Sequence, residues 1–194
     1  MLTELQIINA MLAATGTAPL TVNDQLHPFY IKALNKLDMV MTEVQGRGWW
    51  FNKAVRHLRQ DVNGEIVLPS NTLHCDPVDR QDKLVMRGSK MFDLEEATFT
   101  INRDIRVVFV DLVPVLELPP TAVEYIKARA VYEFYRDEDG SQPKLGEYKM
   151  ARDEAWVTMK GEHLRNADVN HFDGASSAQM SRGIRTRRLP LRNE

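Results

Sequence analysis

A short stretch, VQGRGWWFN at residues 44–52, separates two kinds of hydrophobic pattern. Before it, apolar residues recur every three or four positions, which is the spacing of one face of a helix. After it, short runs alternate apolar with polar residues and are broken by turn residues, as in β-strands. Two glycines can end a helix, and two adjacent tryptophans bring a large apolar area that needs burial. We therefore predict a junction between helices and strands, with at least one tryptophan in the core. The predicted junction residues are Gly46, Gly48, Trp49, Trp50 and Phe51.

Four segments carry a helical stripe of apolar residues. They run from residue 2 to about 14, from 24 to 45, from Pro120 through Phe134, and from Ser141 to about Asn166. Gly and Pro residues stand between them and favour breaks at those points. The side chains expected to cap these helices are Thr3, Asn23 or Asp24, and Ser141.

Residues 53–116 have the pattern of a small antiparallel β region. Asn63-Gly64 predicts a two-residue hairpin turn between short extended runs. Arg87-Gly88 and Asn102–Asp104 predict two further turns. The stretch SNTLHCDPVDRQD, residues 70–82, is polar and is interpreted as a loop.

The order of these segments predicts an α+β protein. We expect a four-helix bundle with a small antiparallel β domain inserted between helices 2 and 3, because neither helix pair alone carries enough apolar surface for a core. The bundle would comprise residues 1–48 and 117–166, and the β domain residues 49–116. Residues 167–194, rich in Gly, Ser, Asn and Arg, are expected to form a flexible, extended, basic C-terminal tail.

Charge is distributed unevenly along the chain. From Arg182 onward, five arginines and one glutamate give +4, which leaves −6 of the total of −2 for the rest. The tail suits nonspecific attraction to nucleic acid, but Leu189, Pro190 and Leu191 among its arginines also suit an extended segment that docks on a protein. These two interpretations are close, with protein docking slightly favoured. The tail residues proposed to contact a partner are Arg182, Arg185, Arg187, Arg188, Leu189 and Leu191.

Composition limits the environment in which the chain is expected to work. No apolar run reaches about 18 residues, so we predict no membrane span. The first residues carry Glu4 and no basic cluster, which favours synthesis in the cytoplasm. Cys75 is the only cysteine, so an internal disulfide and a cysteine zinc site are excluded.

The sequence offers few groups for metal binding or nucleophilic catalysis. His74, Cys75 and Asp76 are consecutive, and consecutive residues rarely converge on one metal. His74 beside Cys75 in sequence does not create the geometry of an activated thiol. No phosphate-binding loop is present. We predict no cofactor and no metal, although the last part of the chain contains the potential ligands His163, Asp168, His171 and Asp173.

Acidic pairs leave one enzymatic alternative open. Glu95-Glu96 and Asp137–Asp139 could in principle supply the two carboxylates of a glycoside hydrolase. Adjacent acids in turns are usually solvated, so we expect no catalytic residue and interpret the protein as one that functions by assembly.

Three stretches of the chain form a recognisable set. The first and third are ELQIINAMLAATGTAPL and LPPTAVEYIKARAVYEFYRDEDG. The second, LNKLDMVMTEVQGRGWWFN, contains the most specific element, in which a long helix runs into Gln-x-Arg-Gly-Trp-x-Phe-Asn. Together they resemble the tail tubular protein A family, the head-to-tail adaptors of short-tailed bacteriophages. The likeness covers roughly residues 1–160 and does not extend to the tail. The positions of its specific element are Gln45, Arg47, Gly48, Trp49, Phe51 and Asn52.

The resemblance implies a virion tail component without catalysis. Similar proteins form a ring of about twelve copies below the portal. The ring extends the channel for genomic double-stranded DNA, and a nozzle protein, tail tubular protein B, binds beneath it. The family fold is a four-helix bundle with a β domain. Two alternatives stay open: a polysaccharide or cell-wall hydrolase that acts at phage entry, and a nucleic-acid-binding module that uses the basic tail.

Overall fold

The computed structural model describes residues 2–22, 27–79 and 81–172, with side chains to Asn166. Within these ranges the chain is an α+β protein with four helices and small antiparallel sheets. The helices are α1 Glu4–Ala14, α2 Pro28–Gln45, α3 Pro120–Glu138 and α4 Gln142–Phe172. The strands are β1 Lys53–Leu58, β2 Thr72–Pro77, β3 Leu84–Arg87, β4 Lys90–Asp93 and β5 Ile105–Asp111. A 3₁₀ turn, Val115–Glu117, precedes α3.

The helices share one apolar cluster. α1 packs against α2 and α3, α2 also packs against α3, and α4 lies along α3. The cluster takes buried side chains from each helix, including Ile8 of α1, Leu37 of α2, Ile126 of α3 and Met159 of α4. None of the helices in the described ranges is long and apolar enough to cross a membrane.

The helix ends agree with the sequence in some places and differ in others. Thr3 caps α1 as predicted, because its Oγ1 accepts from the Gln6 amide at 3.3 Å and the Gln6 side chain accepts from the Thr3 amide at 2.8 Å. The predicted start of α2 at residue 24 is wrong: the described helix begins at Pro28, whose fixed φ suits a first turn. The proposed caps Asn23 and Asp24 lie outside the described residues.

The last helix is longer than the sequence pattern indicates. The apolar stripe fades near Asn166, but the helical backbone continues to Phe172. The reason is that a helix needs no buried face to keep its backbone hydrogen bonds, and the next helix-breaking residue in the sequence is Gly174. The first six residues of the expected flexible tail are therefore helical. Residues 173–194, including every proposed tail contact, lie outside the described part of the chain.

The strands form two antiparallel sheets. One has the order β1-β5-β2, with Lys53 opposite Val110 and Cys75 opposite Phe109. The other is the β3-β4 hairpin, which turns at Gly88 as predicted. The strand-rich part has an apolar cluster of its own, built around Ile66, Leu68, Cys75, Leu84, Met91, Val107 and Phe109.

Two predictions for the strand region are wrong. Asn63-Gly64 does form a turn, but β1 pairs with β5 rather than with the residues after that turn. Those residues instead bury Ile66 and make isolated bridges, because burial of an apolar side chain outweighs continuation of a hairpin. The expected loop at residues 70–82 contains strand β2. Its polar composition conceals an alternation in which His74 is exposed and Cys75 is buried.

Candidate functional site

The predicted junction lies between the end of α2 and the start of β1. Gly46 follows the last residue of α2, and its amide donates to the Thr42 carbonyl at 2.9 Å. Gly48 has a φ of +72°, and a Cβ at that position would lie 3.0 Å from Cγ2 of Val110 on β5. Glycine is needed at position 48 for both reasons, because other residues avoid this backbone conformation and would meet the sheet.

Trp49 is the centre of an aromatic group that connects this junction to α4. It is 5% exposed, which confirms that at least one tryptophan belongs to the core. Its Nε1 donates to the Val44 carbonyl at 2.6 Å, so burial leaves the indole N–H satisfied. Its ring lies 5.5 Å from that of Trp156 and 5.1 Å from that of His163, both edge to face. The α4 helix is therefore held against the end of α2 by ring contacts.

Trp50 lies at the border of the same group and is half-buried. Its ring is 5.0 Å from the Phe51 ring and 5.8 Å from the His163 ring. The Arg47 guanidinium lies 5.4 Å from the centre of the Trp156 ring, which is within the range of a cation–π contact. The imidazole of His163 is thus enclosed between the two tryptophans.

Two buried amide side chains bind the helix end to the sheet. Asn52 donates from Nδ2 to the carbonyls of Gln45 at 2.9 Å and Asp111 at 2.8 Å, and its Oδ1 accepts from the Trp49 amide at 2.7 Å. Gln45 donates to the Val113 carbonyl at 3.0 Å and accepts from the Val113 amide at 2.8 Å. These bonds join the end of α2, the start of β1 and the end of β5 into one hydrogen-bonded unit.

A charged pair covers one side of this unit. Arg56 on β1 forms an ion pair with Asp111 on β5, and the Arg56 guanidinium lies 5.1 Å from the centre of the Phe109 ring. Asp111 is buried, and its Oδ1 has no hydrogen-bond partner among the described residues. The Arg56 guanidinium, which contacts Oδ2, therefore supplies the positive charge that offsets the burial of the Asp111 carboxylate.

Strand β2 places His74 and Asp76 on one face and Cys75 on the other. His74 Nε2 lies 2.8 Å from Asp76 Oδ2 on the exposed face of β2, whereas Cys75 points into the strand-region core. Burial, with smaller effects from Asp76 and Asp111, raises the pKa of the Cys75 thiol to about 12. A thiol held neutral in this way is a poor nucleophile.

The acidic pairs considered for hydrolysis do not have the environment of a general acid. Glu95 and Glu96 are exposed. Burial tends to raise the pKa of Asp137, but hydrogen bonds from Lys36, at 2.7 Å, and from Arg136 outweigh it, so this pKa lies below its ordinary value. A proton-donating carboxyl group requires the opposite shift.

Potential metal ligands do not converge in the part of the chain that the structure describes. No group of three or more His, Cys, Asp or Glu side chains there could hold a metal ion. His163 belongs to the aromatic group. The side chains of Asp168 and His171, and all of Asp173, lie outside the described part.

Sequence reasoning did not identify several residues that hold the junction. The sequence pattern indicated Gln45 and Asn52 only as positions of the family motif and assigned them no structural role. Both are buried polar residues. Their burial beside two glycines could have been suspected, because an amide in a chain reversal often bonds to backbone groups. Asp111, Trp156 and His163 gave no such indication, since they meet the junction only through the tertiary fold.

Packing and hydrogen-bonding groups make up this site, so it is a structural joint between helices and strands. A family model described as tail tubular protein matches residues 5–175, which is most of the chain. The chain therefore belongs to the tail tubular protein family and is a structural component of the bacteriophage tail. Comparison with curated proteins finds no match.

Proposed function

We propose that this tail tubular protein is a head-to-tail adaptor without catalytic activity. A closed ring of about twelve copies would join the portal to the tail nozzle, a protein similar to tail tubular protein B. The ring would extend the channel through which double-stranded DNA leaves the capsid. The observation that carries this proposal is the family match over residues 5–175, which includes the motif at the structural joint.

The subunit would act as a four-helix bundle with an inserted β domain. This arrangement is supported by the two apolar clusters, one with side chains from all four helices and one from the strand region between α2 and α3. The hydrogen-bonded joint at Gln45 and Asn52 would fix the orientation of the β domain on the bundle. A fixed orientation favours closure of a ring, because each neighbour repeats the same rotation.

The outer face of α4 is our candidate for the contact between subunits. Met150, Val157 and Leu164 are 66%, 69% and 52% exposed. They are seven residues apart, so they form one stripe along the helix. Gly161 lies close to the same stripe, and the space around it is open, which would let a neighbouring backbone approach. A neighbour that covers this stripe would remove three large apolar side chains from water.

The net charge of the chain supports a channel through which DNA slides without being retained. The chain outside its last thirteen residues carries −6, and an acidic or neutral lining lets a duplex slide where a basic one would retain it. The basic tail would instead contact an acidic surface of the portal or of a neighbouring subunit through Arg182, Arg185, Arg187 and Arg188.

Electron microscopy of the protein mixed with portal tests the proposal. We expect a closed collar beneath the portal. In the Val157→Asp variant collars should become rare, because a buried charge without a partner is unfavourable. The matched control is Val62→Asp, since Val62 is 100% exposed and lies outside α4. Both variants should unfold at nearly the same temperature as wild type, because exposed positions change stability by about 0.5 kcal/mol or less.

Three results would each contradict a different part of the proposal. Absence of a collar with the wild-type protein would contradict the adaptor role. Equal numbers of collars with Val157→Asp and Val62→Asp would exclude the α4 stripe as the interface. Deletion of residues 181–194 should weaken binding to the portal, and undiminished binding at physiological salt would refute the proposed tail contact.

A further inference from the structure

An apolar groove opens where the first turns of α1 and α3 meet the 3₁₀ turn Val115–Glu117. It has two parts of about 370 and 380 Å³, and Val115 lines both of them. Each part is large enough for an aliphatic side chain. Leu116 on the 3₁₀ turn is 57% exposed at the edge of the second part. The leucine and valine residues that line the groove are Leu2, Leu5, Val115, Leu116, Leu118 and Val123.

Each part of the groove has one acidic side chain in its lining. Glu4 lines one part and Glu124 the other. Glu124 forms an ion pair with Lys127. Glu4 is an exposed carboxylate in the first turn of α1. An apolar channel with an acidic border fits a segment that combines aliphatic and basic residues.

Helix α4 runs antiparallel to α3, towards the end of α3 that borders this groove. Tyr148 of α4 packs on Tyr135 of α3, at 5.0 Å between ring centres, and Trp156 packs on Tyr125, at 5.1 Å. Numbering rises along α4 as it falls along α3, so the two helices are antiparallel. Further along, Glu162 accepts a hydrogen bond from Thr121, in the first turn of α3. The end of α4 therefore extends past the end of α3 that borders the groove.

The remaining sequence is long enough to return. From Glu162 to Phe172 the helix advances about 15 Å. The seventeen residues from 173 to Leu189 can span up to about 55 Å when extended, so the final segment can reach back to the groove. That segment, RGIRTRRLPLRNE at residues 182–194, contains Leu189-Pro190-Leu191 between arginines.

We propose that residues 182–194 of the same chain dock in this groove in the free subunit. Leu189 and Leu191 occupy its two apolar parts, and the flanking arginines pair with Glu4 and Glu124. Pro190 favours the extended backbone that places two side chains along one groove. The covalent connection holds the segment at an effective concentration of about millimolar, so docking within the chain outcompetes docking between copies in dilute solution. This inference does not depend on the proposed ring.

Disulfide trapping in the full-length isolated protein tests the docking. The variant Leu116→Cys/Arg192→Cys places one thiol at the groove and one within the docked segment, directly after Leu191. The natural Cys75 does not compete, because it is 1% exposed and its thiol has a pKa of about 12. The matched control adds Leu189→Ser and Leu191→Ser, which keeps both thiols and the connecting length but removes the apolar contacts.

Under mild oxidation in dilute solution, we expect an intramolecular disulfide to form at least ten times faster in the test variant than in the control. Substitution of Glu4 and Glu124 by Gln in the test variant should slow it several-fold. Equal rates in test variant and control would overturn the proposal, as would disulfide-linked dimers whose rate rises with protein concentration, which would show docking between copies. Ring assembly on the portal is a separate measurement, so either proposal can fail without the other.

Discussion

Removal of the Asn52 side chain is the sharpest test of the joint between helices and strands. Asn52 is 4% exposed, and its amide makes three hydrogen bonds to backbone groups of Trp49, Gln45 and Asp111. The three partners belong to different parts of the fold: the junction, the end of α2 and the end of β5. The Asn52→Ala variant deletes all three bonds and adds no bulk.

The expected cost follows from those contacts. Each intramolecular hydrogen bond contributes about 1 kcal/mol net, so three bonds contribute about 3 kcal/mol. The Gln45 carbonyl keeps a second partner, since the Gly48 amide donates to it at 3.0 Å. The buried Trp49 amide loses its bond to Asn52 and adds a desolvation penalty of about 1 kcal/mol. We expect a total loss of about 3–4 kcal/mol, which is a large part of a typical stability of about 5–15 kcal/mol.

Urea unfolding followed by tryptophan fluorescence measures this loss. All three tryptophans of the chain lie in the aromatic group at or beside the joint, so their emission reports its opening. The matched control is Asn71→Ala, which truncates an exposed asparagine and should change the free energy of unfolding by about 0.5 kcal/mol or less. If Asn52→Ala costs no more than Asn71→Ala, packing alone holds the joint and our reasoning about the amide is wrong.

Two further predictions concern the junction glycine and the buried thiol. Gly48→Ala should lower the free energy of unfolding in urea by about 1 kcal/mol more than Gly88→Ala does. Both glycines have a positive φ, so that cost is common to the two variants. Only the new Cβ at position 48 meets Val110, because nothing lies within 4 Å of a Cβ at position 88. Equal losses would remove the argument for close approach. Burial raises the pKa of the Cys75 thiol from 9.0 to about 12. As pH rises, the thiol of the unfolded chain therefore loses its proton before the thiol of the folded chain does. This difference lowers the stability of the folded protein between pH 9 and pH 12 and has no effect below pH 9. The stability difference between wild type and Cys75→Ala should therefore shift by about 1 kcal/mol against wild type between pH 8 and pH 10; a constant difference would contradict the burial of the thiol.

The helices could be predicted from the sequence because their burial repeats locally. Ala33, Leu37, Val40 and Val44 recur every three or four positions along α2, and all four are buried. The end of α4 could not be predicted in this way, since an exposed helical turn leaves no apolar stripe to mark it. Helix existence was thus easier to infer than helix length.

The pairing of the strands could not be predicted from the local sequence pattern. Turn residues indicate where the chain reverses, but they do not say which strands become partners. Lys53 pairs with Val110, far along the chain, and the intervening residues form β2 and the β3-β4 hairpin. The alternation that places Cys75 inside and His74 outside was present in the sequence, but polar neighbours and a proline made it resemble a loop.

The junction shows the same division between local and distant information. Two glycines and two tryptophans at a change of pattern were enough to predict a buried indole, and Trp49 is that residue. The hydrogen bonds from Asn52 to Asp111 and from Gln45 to Val113 span 59 and 68 positions in the sequence. Such partners become visible only when the fold brings the end of β5 to the end of α2.

The uneven burial of α4 connects the subunit to its proposed assembly. This helix has 31 residues, but among its described side chains Met159 alone is fully buried. A helix with so little burial depends on its contacts with α3 and on the rings of Trp49 and Trp156, since isolated helices are marginal in water. The exposed stripe at Met150, Val157 and Leu164 adds no stability to a lone subunit and raises its tendency to associate. Both features are understandable if a neighbour covers the outer face, because the contact between subunits would then complete the burial that the single chain leaves unfinished.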